Sequence, residues 1–375
     1  MTKKTLLNGP INAVRLEGTV FGIKKSLLLF LDLHIDIRSQ TKCNDYESID
    51  IEKYLYEIIK NNKTVDMFFE SNNVVDNESI KYTEKYIHET LSLFGKLRHL
   101  NKSTMAKNVR LHYMDIRNNY PMHNILNELK YIEQLLKQAL QNDNIAASSI
   151  DIIKKKTKQI ITDVDQDISN FYTNKNDKTL HKDILKIKKK YKHQEILKNF
   201  KVYDNIIHKL HGKIITNLNT CKQILETDNS KSIYFNLNTD QVAGSLFYNY
   251  GELKNVTILK LANLINNYDL VYLDVLDLYL FITDMFFLRR FLDKDYITSG
   301  IVYTGAAHSV NYIQHLVTVY DFKVTHFSYS SITNLNDVNK IIKNASKIEN
   351  IGEIQKLFWP NDYIQCSNIS DFPDL

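Results

Sequence analysis

Cysteine, glycine, proline and tryptophan are all scarce in this chain. The three cysteines (Cys43, Cys221 and Cys366) are odd in number and far apart, with no Cys-x-x-Cys or Cys/His zinc spacing. That argues against a disulfide-built secreted scaffold and for a reduced, cytoplasmic setting. Ten glycines and four prolines leave no material for long low-complexity linkers. No Gly-x-x-x-x-Gly-Lys-Ser/Thr and no Gly-x-Gly-x-x-Gly occurs, so nothing points to nucleotide phosphates. No Gly-x-Ser-x-Gly elbow occurs either, which argues against a serine nucleophile of the α/β-hydrolase kind. Long apolar runs free of charge are missing too. The most apolar stretch, from Leu270 to Leu292, contains Asp274, Asp277, Asp284, Arg289 and Arg290, so it reads as a buried helix, not a membrane span. The N-terminal Met-Thr-Lys-Lys-Thr-Leu-Leu lacks the apolar length of a signal peptide. These absences leave a soluble cytoplasmic protein with no membrane partner as the expectation.

What is present is an ordinary globular composition, 43% apolar and 24% charged over 375 residues, long enough for two or three domains. The net charge of +5 is uneven: residues 151–210 carry 15 Lys against 8 Asp and Glu. Lys186, Lys188, Lys189, Lys190 and Lys192 cluster there beside Tyr191, with Phe200 nearby. The tract is an amphipathic helical pattern without any DNA- or RNA-binding motif, so the lysines read as a solvated face and nucleic acid is not expected as a partner.

Four apolar runs each end on residues able to do chemistry. They are Ser26-Leu-Leu-Leu-Phe-Leu-Asp32-Leu-His34-Ile-Asp36, Val65-Asp-Met-Phe-Phe-Glu70, Val109-Arg-Leu-His-Tyr-Met-Asp115-Ile-Arg117 and Gly300-Ile-Val-Tyr-Thr-Gly305-Ala-Ala-His308. Short apolar runs followed by helical spacing read as strands buried on both faces of a parallel sheet. Ligands of open α/β sheets bind outside the carboxyl ends of the strands. If the four runs are neighbours, their chemical ends meet on one edge.

The remaining pattern supports that architecture. Residues 12–35 read as a hairpin or two adjacent strands, punctuated by Gly18 and Gly22. Helical spacing follows at 49–60 and 78–97, and Pro121 opens a helix to about Gln141. Residues 145–228 read as helical hairpins, with Gly212 as a candidate stop, and helices follow at about 238–266 and 270–292. A helix from His308, a strand from Phe322 and a helix at 334–346 complete the chain, before an irregular tail. The expectation is an α/β fold: a mostly parallel central sheet flanked by helices, with a helical insertion. Residues 1–144 and 235–350 form the core, 145–234 the basic helical insertion and 351–375 the C-terminal tail.

Asp32, His34 and Asp36 alternate, so on a strand they share one side, and a carboxylate beside a His can fix its tautomer. A structural Asp–His pair fits equally well. Glu70 ends a very apolar strand, where a carboxylate needs a metal, an Arg or a donor; a helix cap or ion pair with the next element is its plainer role. Asp115 and Arg117 place two charges at one strand end. Arg117 could fork onto a substrate carboxylate or phosphate, or pair with Glu70 or Asp32 as scaffolding. Gly305-Ala-Ala-His308 turns from strand to helix and puts His308 near a helix N-terminus, where neutral imidazole is favoured. Neutral His serves as a metal ligand or a general base.

The order of these elements resembles the superfamily that joins erythromycin esterases, TraB-type proteins and Tiki metalloproteases. In that group an early strand ends in Gly-x-x-His or Glu-x-x-His, a second strand ends in Glu, an Arg follows, and a late Gly-x-x-His closes the site. The corresponding residues are Asp32-Leu-His34, Phe69-Glu70, Asp115-Ile-Arg117 and Gly305-Ala-Ala-His308, within residues 12–120 and 270–330. Leu31 stands where the family prefers Gly, and Asp32 where a Glu is expected. The resemblance implies a hydrolase, esterase-like or metallopeptidase-like, using His-activated or metal-activated water on a small-molecule or peptide substrate. It implies His34, Glu70 and His308 as base or divalent-metal ligands, Asp32 as orienter, and Arg117 with Asp115 as substrate contacts. The alternative is a non-catalytic interaction or assembly protein that keeps a hydrolase-like core and binds through the basic insertion.

Overall fold

The computed structural model describes residues 5–33, 41–60, 64–70, 108–116, 122–141, 147–173, 191–226, 256–345 and 351–373. The protein is an α/β chain with a mostly parallel six-stranded sheet flanked by helices. It divides into two compact units: residues 1–116, 189–200 and 283–375, and residues 117–188 and 201–282.

The first unit holds both sheets. Strand β1 (Leu6–Asn8) lies between β4 (Ile49–Asp50) and β9 (Cys366–Asn368) in a small three-stranded sheet. The main sheet contains β2 (Asn12–Val20), β3 (Ile23–Asp32), β5 (Val65–Phe69), β6 (Val109–Tyr113), β7 (Ser299–Gly305) and β8 (Lys323–Phe327), in the order β6-β5-β7-β3-β2-β8. Strands β6, β5, β7 and β3 run parallel, while β2 and β8 add antiparallel pairs at one side. The four apolar runs of the sequence are thus these four adjacent parallel strands. The β2–β3 hairpin closes through Phe21 (φ 51°) and Gly22 (φ 80°). A two-residue turn with positive φ at both positions matches the right-handed twist of its strands. Phe21, an unusual residue for that conformation, stacks on His193 with ring centroids 4.0 Å apart.

Alternation sorts the side chains of each strand between two buried layers. Leu28, Phe30, Val65, Met67, Phe69, Ile301 and Tyr303 share one core with Ile51 and Leu55 of helix α1 (Ile51–Lys60). On the other face Phe68 meets Phe287, at 5.0 Å between ring centroids, and Phe287 meets Tyr312 at 4.3 Å. Phe287 belongs to the 38-residue helix α6 (Val256–Asp293) and Tyr312 to α7 (Ala306–Tyr320). Burial on both faces is why the strands read as continuous apolar runs. The end of α6 is fastened by the buried Lys25 of β3, whose ammonium donates to the carbonyls of Phe291 (3.0 Å), Lys294 (2.8 Å) and Ile297 (2.5 Å). A cation suits the carbonyl end of a helix. Burial pushes this lysine down to about 8, against the nearby carboxylates of Asp295, Asp66 and Asp293.

The second unit is helical: α2 (Met122–Gln141), α3 (Ala147–Thr173), α5 (Lys201–Glu226) and α6 up to residue 282. Its interior is lined by Ile132, Leu136, Ile153, Ile160, Ile207, Ile214, Leu218 and Val271. Two buried polar pairs cross it, Thr157 Oγ1 to Tyr268 Oη (2.6 Å) and Tyr279 Oη donating to Asp167 (2.7 Å). Burial raises the Asp167 carboxyl to about 6 despite that hydrogen bond.

Several elements differ from expectation. Gly212 does not stop a helix: α5 continues to Glu226 because Ile214, Leu218, Cys221 and Ile224 prolong the buried stripe begun by Tyr203, Ile207 and Leu210. One uninterrupted α6 occupies 256–293 where two helices were expected, since buried positions continue through Leu264, Tyr268 and Val271. The tail is not wholly irregular. It forms α9 (Ile351–Phe358) and β9, after α8 (Leu335–Asn344), which Asn334 caps through its side chain. A short helix α4 (Gln194–Asn199) belongs to the first unit. The expected helix at 78–97 and most of the lysine cluster lie outside the described residues. Among the described residues no helix is long and apolar enough to cross a membrane.

The largest correction concerns cysteine. Cys43 and Cys366 form a disulfide across 323 residues of chain, with Cα atoms 4.9 Å apart. No sequence spacing could show it: β9 pairs antiparallel with β1, and the Cys43 amide donates to Asn8 at the end of β1 (2.8 Å), which brings the two sulfurs together. Cys221 is a buried free thiol that burial pushes up to about 12. Cross-linking so long a loop restricts the unfolded chain, and native disulfides typically contribute about 2–4 kcal/mol. The expected result is a clear fall in the melting temperature of the first unit on adding a dithiol or on replacing both residues by Ser. Scanning calorimetry with and without reductant checks it, and identical melts would show that the link contributes nothing.

Candidate active site at the carboxyl edge

Parallel strands β5, β7 and β3 end side by side. The register sets Phe69 against Tyr303 and Asp32 against Gly305. Helix α7 starts directly from β7, with Gly305 as its N-cap. Glu70, one residue past β5, reaches this start: its Oε2 accepts from the Gly305 amide (2.7 Å) and from Thr304 Oγ1 (2.9 Å). A carboxylate at a helix N-terminus is favourable for the helix dipole. Its other oxygen, Oε1, lies 3.3 Å from Nε2 of His308 in the first turn of α7.

The far side of the imidazole meets Asp284, on α6. His308 Nδ1 and Asp284 Oδ1 are 2.5 Å apart, and Asn311 Nδ2 donates to Asp284 Oδ2 at 2.5 Å. Asn311 is one turn beyond His308 on α7, so one helix presents both partners to one carboxylate. Asp284 is fully buried and His308 is 3% exposed. The result is a chain of polar contacts, Asn311–Asp284–His308–Glu70–Gly305, at the edge of the sheet.

This arrangement reverses one expectation about His308. A helix N-terminus disfavours imidazolium, and burial disfavours it further. The carboxylates of Glu70 and Asp284 outweigh both and raise His308 to about 10. Burial also raises Asp284, while His308 and Asn311 stabilise its charged form. His308 is therefore a cation held between two acids, suited to donating a proton or stabilising negative charge.

The sequence candidates are distributed as follows. Glu70 and His308 are brought together. Asp32 ends β3 beside Gly305, but alternation puts its side chain with Leu28 and Phe30 on the α1 face, whereas Glu70 follows Phe68 onto the face of α6 and α7. Asp115 follows the end of β6, where the Met114 amide donates to Phe69 (3.0 Å). His34, Asp36 and Arg117 lie outside the described residues. Asp284 and Asn311 were not singled out by their sequence pattern. The available signal was an acid inside Phe281-Ile-Thr-Asp284-Met-Phe-Phe, since a carboxylate there needs a partner to be buried.

Among the described residues no group of three or more His, Cys, Asp or Glu is arranged to hold a metal ion. Both ring nitrogens of His308 face carboxylate oxygens, so this ring offers no free lone pair to a cation. These residues by themselves do not fit a metal shell.

The family profile that matches this chain spans residues 5–375, nearly all of it. The chain belongs to the family of unknown function DUF5847. Its relatives include "Uncharacterized protein R706" of Acanthamoeba polyphaga mimivirus, 35% identical over an alignment of 422 positions that covers 98% of this chain and 96% of the relative. "Uncharacterized protein R161" of the same virus is 31% identical, covering 98% and 97%, and "Uncharacterized protein R160" is 29% identical, covering 98% and 96%. No solved structure matches the chain. Coverage of this extent means that the DUF5847 chain shares its whole length with these viral proteins, both units included.

Proposed function

We propose that this DUF5847 chain is a hydrolase whose acid–base pair is Glu70 and His308 at the carboxyl edge of the sheet. The observation that carries this reading is the Asp284–His308–Glu70 chain of contacts beside the ends of β5 and β7. Within it, Glu70 is the base and cationic His308 the acid. Glu70 takes a proton from water as the water oxygen bonds to a carbonyl carbon. His308 Nε2 then protonates the leaving oxygen or nitrogen as its bond to that carbon breaks. The substrate class is a small-molecule or peptide carbonyl compound: an ester, lactone or amide. His34 and Arg117 remain candidates for a second histidine and a substrate anchor on the resemblance to the erythromycin esterase, TraB and Tiki group. A divalent metal would need His34 as a ligand, and no step here is routed through one. The Cys43–Cys366 link favours an oxidising setting over the reducing cytoplasm expected from cysteine spacing.

The test is turnover by the purified full-length chain on ester, lactone and peptide substrates, with a chelator and with added Mn²⁺, Co²⁺ or Zn²⁺. Glu70→Gln and His308→Gln are expected to lower kcat by about 100-fold or more, the usual worth of a positioned acid or base. Absence of turnover under every condition, or variants as active as the parent, would overturn the reading. A second reading has its own support: Glu70 already caps α7, and His308 is almost closed to solvent. On that reading the cluster ties three elements of a non-catalytic interaction protein together, and its variants lose stability with no activity to lose.

A further inference from the structure

The geometry points to Asp284 as the positioning residue for His308, and to Asn311 as the group that sets which way Asp284 can accept. This inference rests on the hydrolase reading above and deepens it. Asp284 meets the ring at Nδ1, on the side away from Glu70, and acts through His308. An acid that fixes one imidazole nitrogen leaves the other aimed at the reacting centre, which is the logic of a base or acid oriented by a third group.

The position is costly for a carboxylate. Asp284 is fully buried and sits near Phe287, Leu288 and Phe291, all buried on the same helix. Burying an ion pair contributes little net stability compared with apolar residues of similar size. Donors nevertheless converge on this group from α7: His308 at Oδ1 and Asn311 at Oδ2, with the Tyr312 hydroxyl also stabilising the charged carboxylate. The hydrogen-bond polarity along the chain of contacts follows: Asn311 Nδ2 donates to Oδ2, Oδ1 accepts from Nδ1–H, and Nε2 faces Glu70.

That polarity makes a sharp prediction for Asp284→Asn. If the new amide oxygen faces His308, its NH₂ meets Asn311, whose amide turns its oxygen inward to accept, and Nδ1–H is left with a neutral acceptor in place of a carboxylate. If the amide turns round, its NH₂ faces Nδ1 and forces that nitrogen to be an acceptor. Either way Nδ1 loses the carboxylate that holds it. Exchanging the pair, Asp284→Asn with Asn311→Asp, returns the negative charge to the cluster: the Asn oxygen faces Nδ1–H and its NH₂ donates to the new carboxylate.

The experiment combines kinetics with proton NMR of the full-length chain. The parent is expected to show a strongly deshielded imidazole N–H resonance that is absent in His308→Gln. Asp284→Asn should lose that resonance and lower kcat on the order of 100-fold with KM little changed, and the exchanged double variant should recover much of both. Asn311→Ala keeps the carboxylate and frees one oxygen, so it should give a smaller loss of kcat; it serves as the test if Asp284→Asn does not fold. Turnover by Asp284→Asn or Asn311→Ala equal to the parent's, or a double variant no better than Asp284→Asn, overturns the positioning role while leaving the hydrolase reading intact. A parent chain without turnover overturns the hydrolase reading, and the positioning role with it.

Discussion

Arg110→Ala is expected to destabilise the chain by about 3–5 kcal/mol, and Asp66→Ala, at the other end of the same ion pair, by about 1–3 kcal/mol. Arg110 on β6 grips Asp66 on β5 with two hydrogen bonds (2.7 and 2.5 Å), and His112 Nε2 lies 2.7 Å from Asp66 Oδ1. The asymmetry follows from exposure. The Asp66 side chain is completely buried, whereas the Arg110 side chain is 37% exposed. Removing Asp66 lets Arg110 turn to water and leaves His112 neutral. Removing Arg110 strands a buried carboxylate with His112 alone. Burial by itself would raise Asp66, but the hydrogen bonds from His112 and Arg110 hold it below the usual carboxylate range. A depressed acid contributes stability above its unfolded pKa and loses it as pH falls through the folded value. Burial holds His112 down as well, although Asp66 opposes it, so this ring also favours the fold at the higher pH and loses its contribution on acidification. The loss caused by Arg110→Ala should therefore be largest near neutral pH and shrink as pH falls through the Asp66 value, where the parent gives up the same contribution. Denaturant titrations between about pH 3 and 7 measure both effects, since the carboxylate and imidazole steps fall in that window. A larger loss for Asp66→Ala than for Arg110→Ala would show that the arginine, not the acid, is the group needing its partner.

The same cluster illustrates what the sequence makes legible. The four strands were readable because burial on both faces leaves unbroken apolar runs, and such runs with helices between them pair in parallel. Glu70 and His308 were readable because each ends one of those runs. What the runs do not encode is parity. Asp32 ends a strand as Glu70 does, yet alternation turns it to the face of α1. The protonation of His308 was equally hidden, because its charge depends on Asp284, 24 residues away on a helix whose acids were legible only as evidence against a membrane span. Asp66 and Arg110 occupied apolar strands without any pattern to pair them, and only the β5–β6 register sets Asp66 opposite Arg110. The Cys43–Cys366 link has the same cause: the two ends of the chain meet through β1, whose three residues are too few to carry a periodic signal.

The second large effect is expected at Asp284 and His308 and separates a cluster kept for chemistry from one kept for the fold. His308→Leu leaves the fully buried Asp284 with Asn311 as a donor but without its opposite charge, and should cost about 3–5 kcal/mol. Asp284→Leu leaves the imidazolium with Glu70 at 3.3 Å and should cost less, about 2–3 kcal/mol, because one counter-charge survives. The double variant replaces both ions by apolar groups in a layer already built from Phe287, Phe291 and Tyr312. Its loss should not exceed that of His308→Leu alone, because no unpaired buried charge is left behind, and the two single losses then couple by at least about 1 kcal/mol. Glu70 retains its bonds to Gly305 and Thr304, so α7 keeps its cap in every variant. Chemical denaturation of the four chains closes the cycle. A double variant at least as stable as His308→Leu, and devoid of turnover, means that the single-variant losses come from stranding a buried charge, so the pair is retained for the reaction. A double variant less stable than either single one means that the ions hold α6 and α7 to the sheet, and the non-catalytic reading then takes precedence.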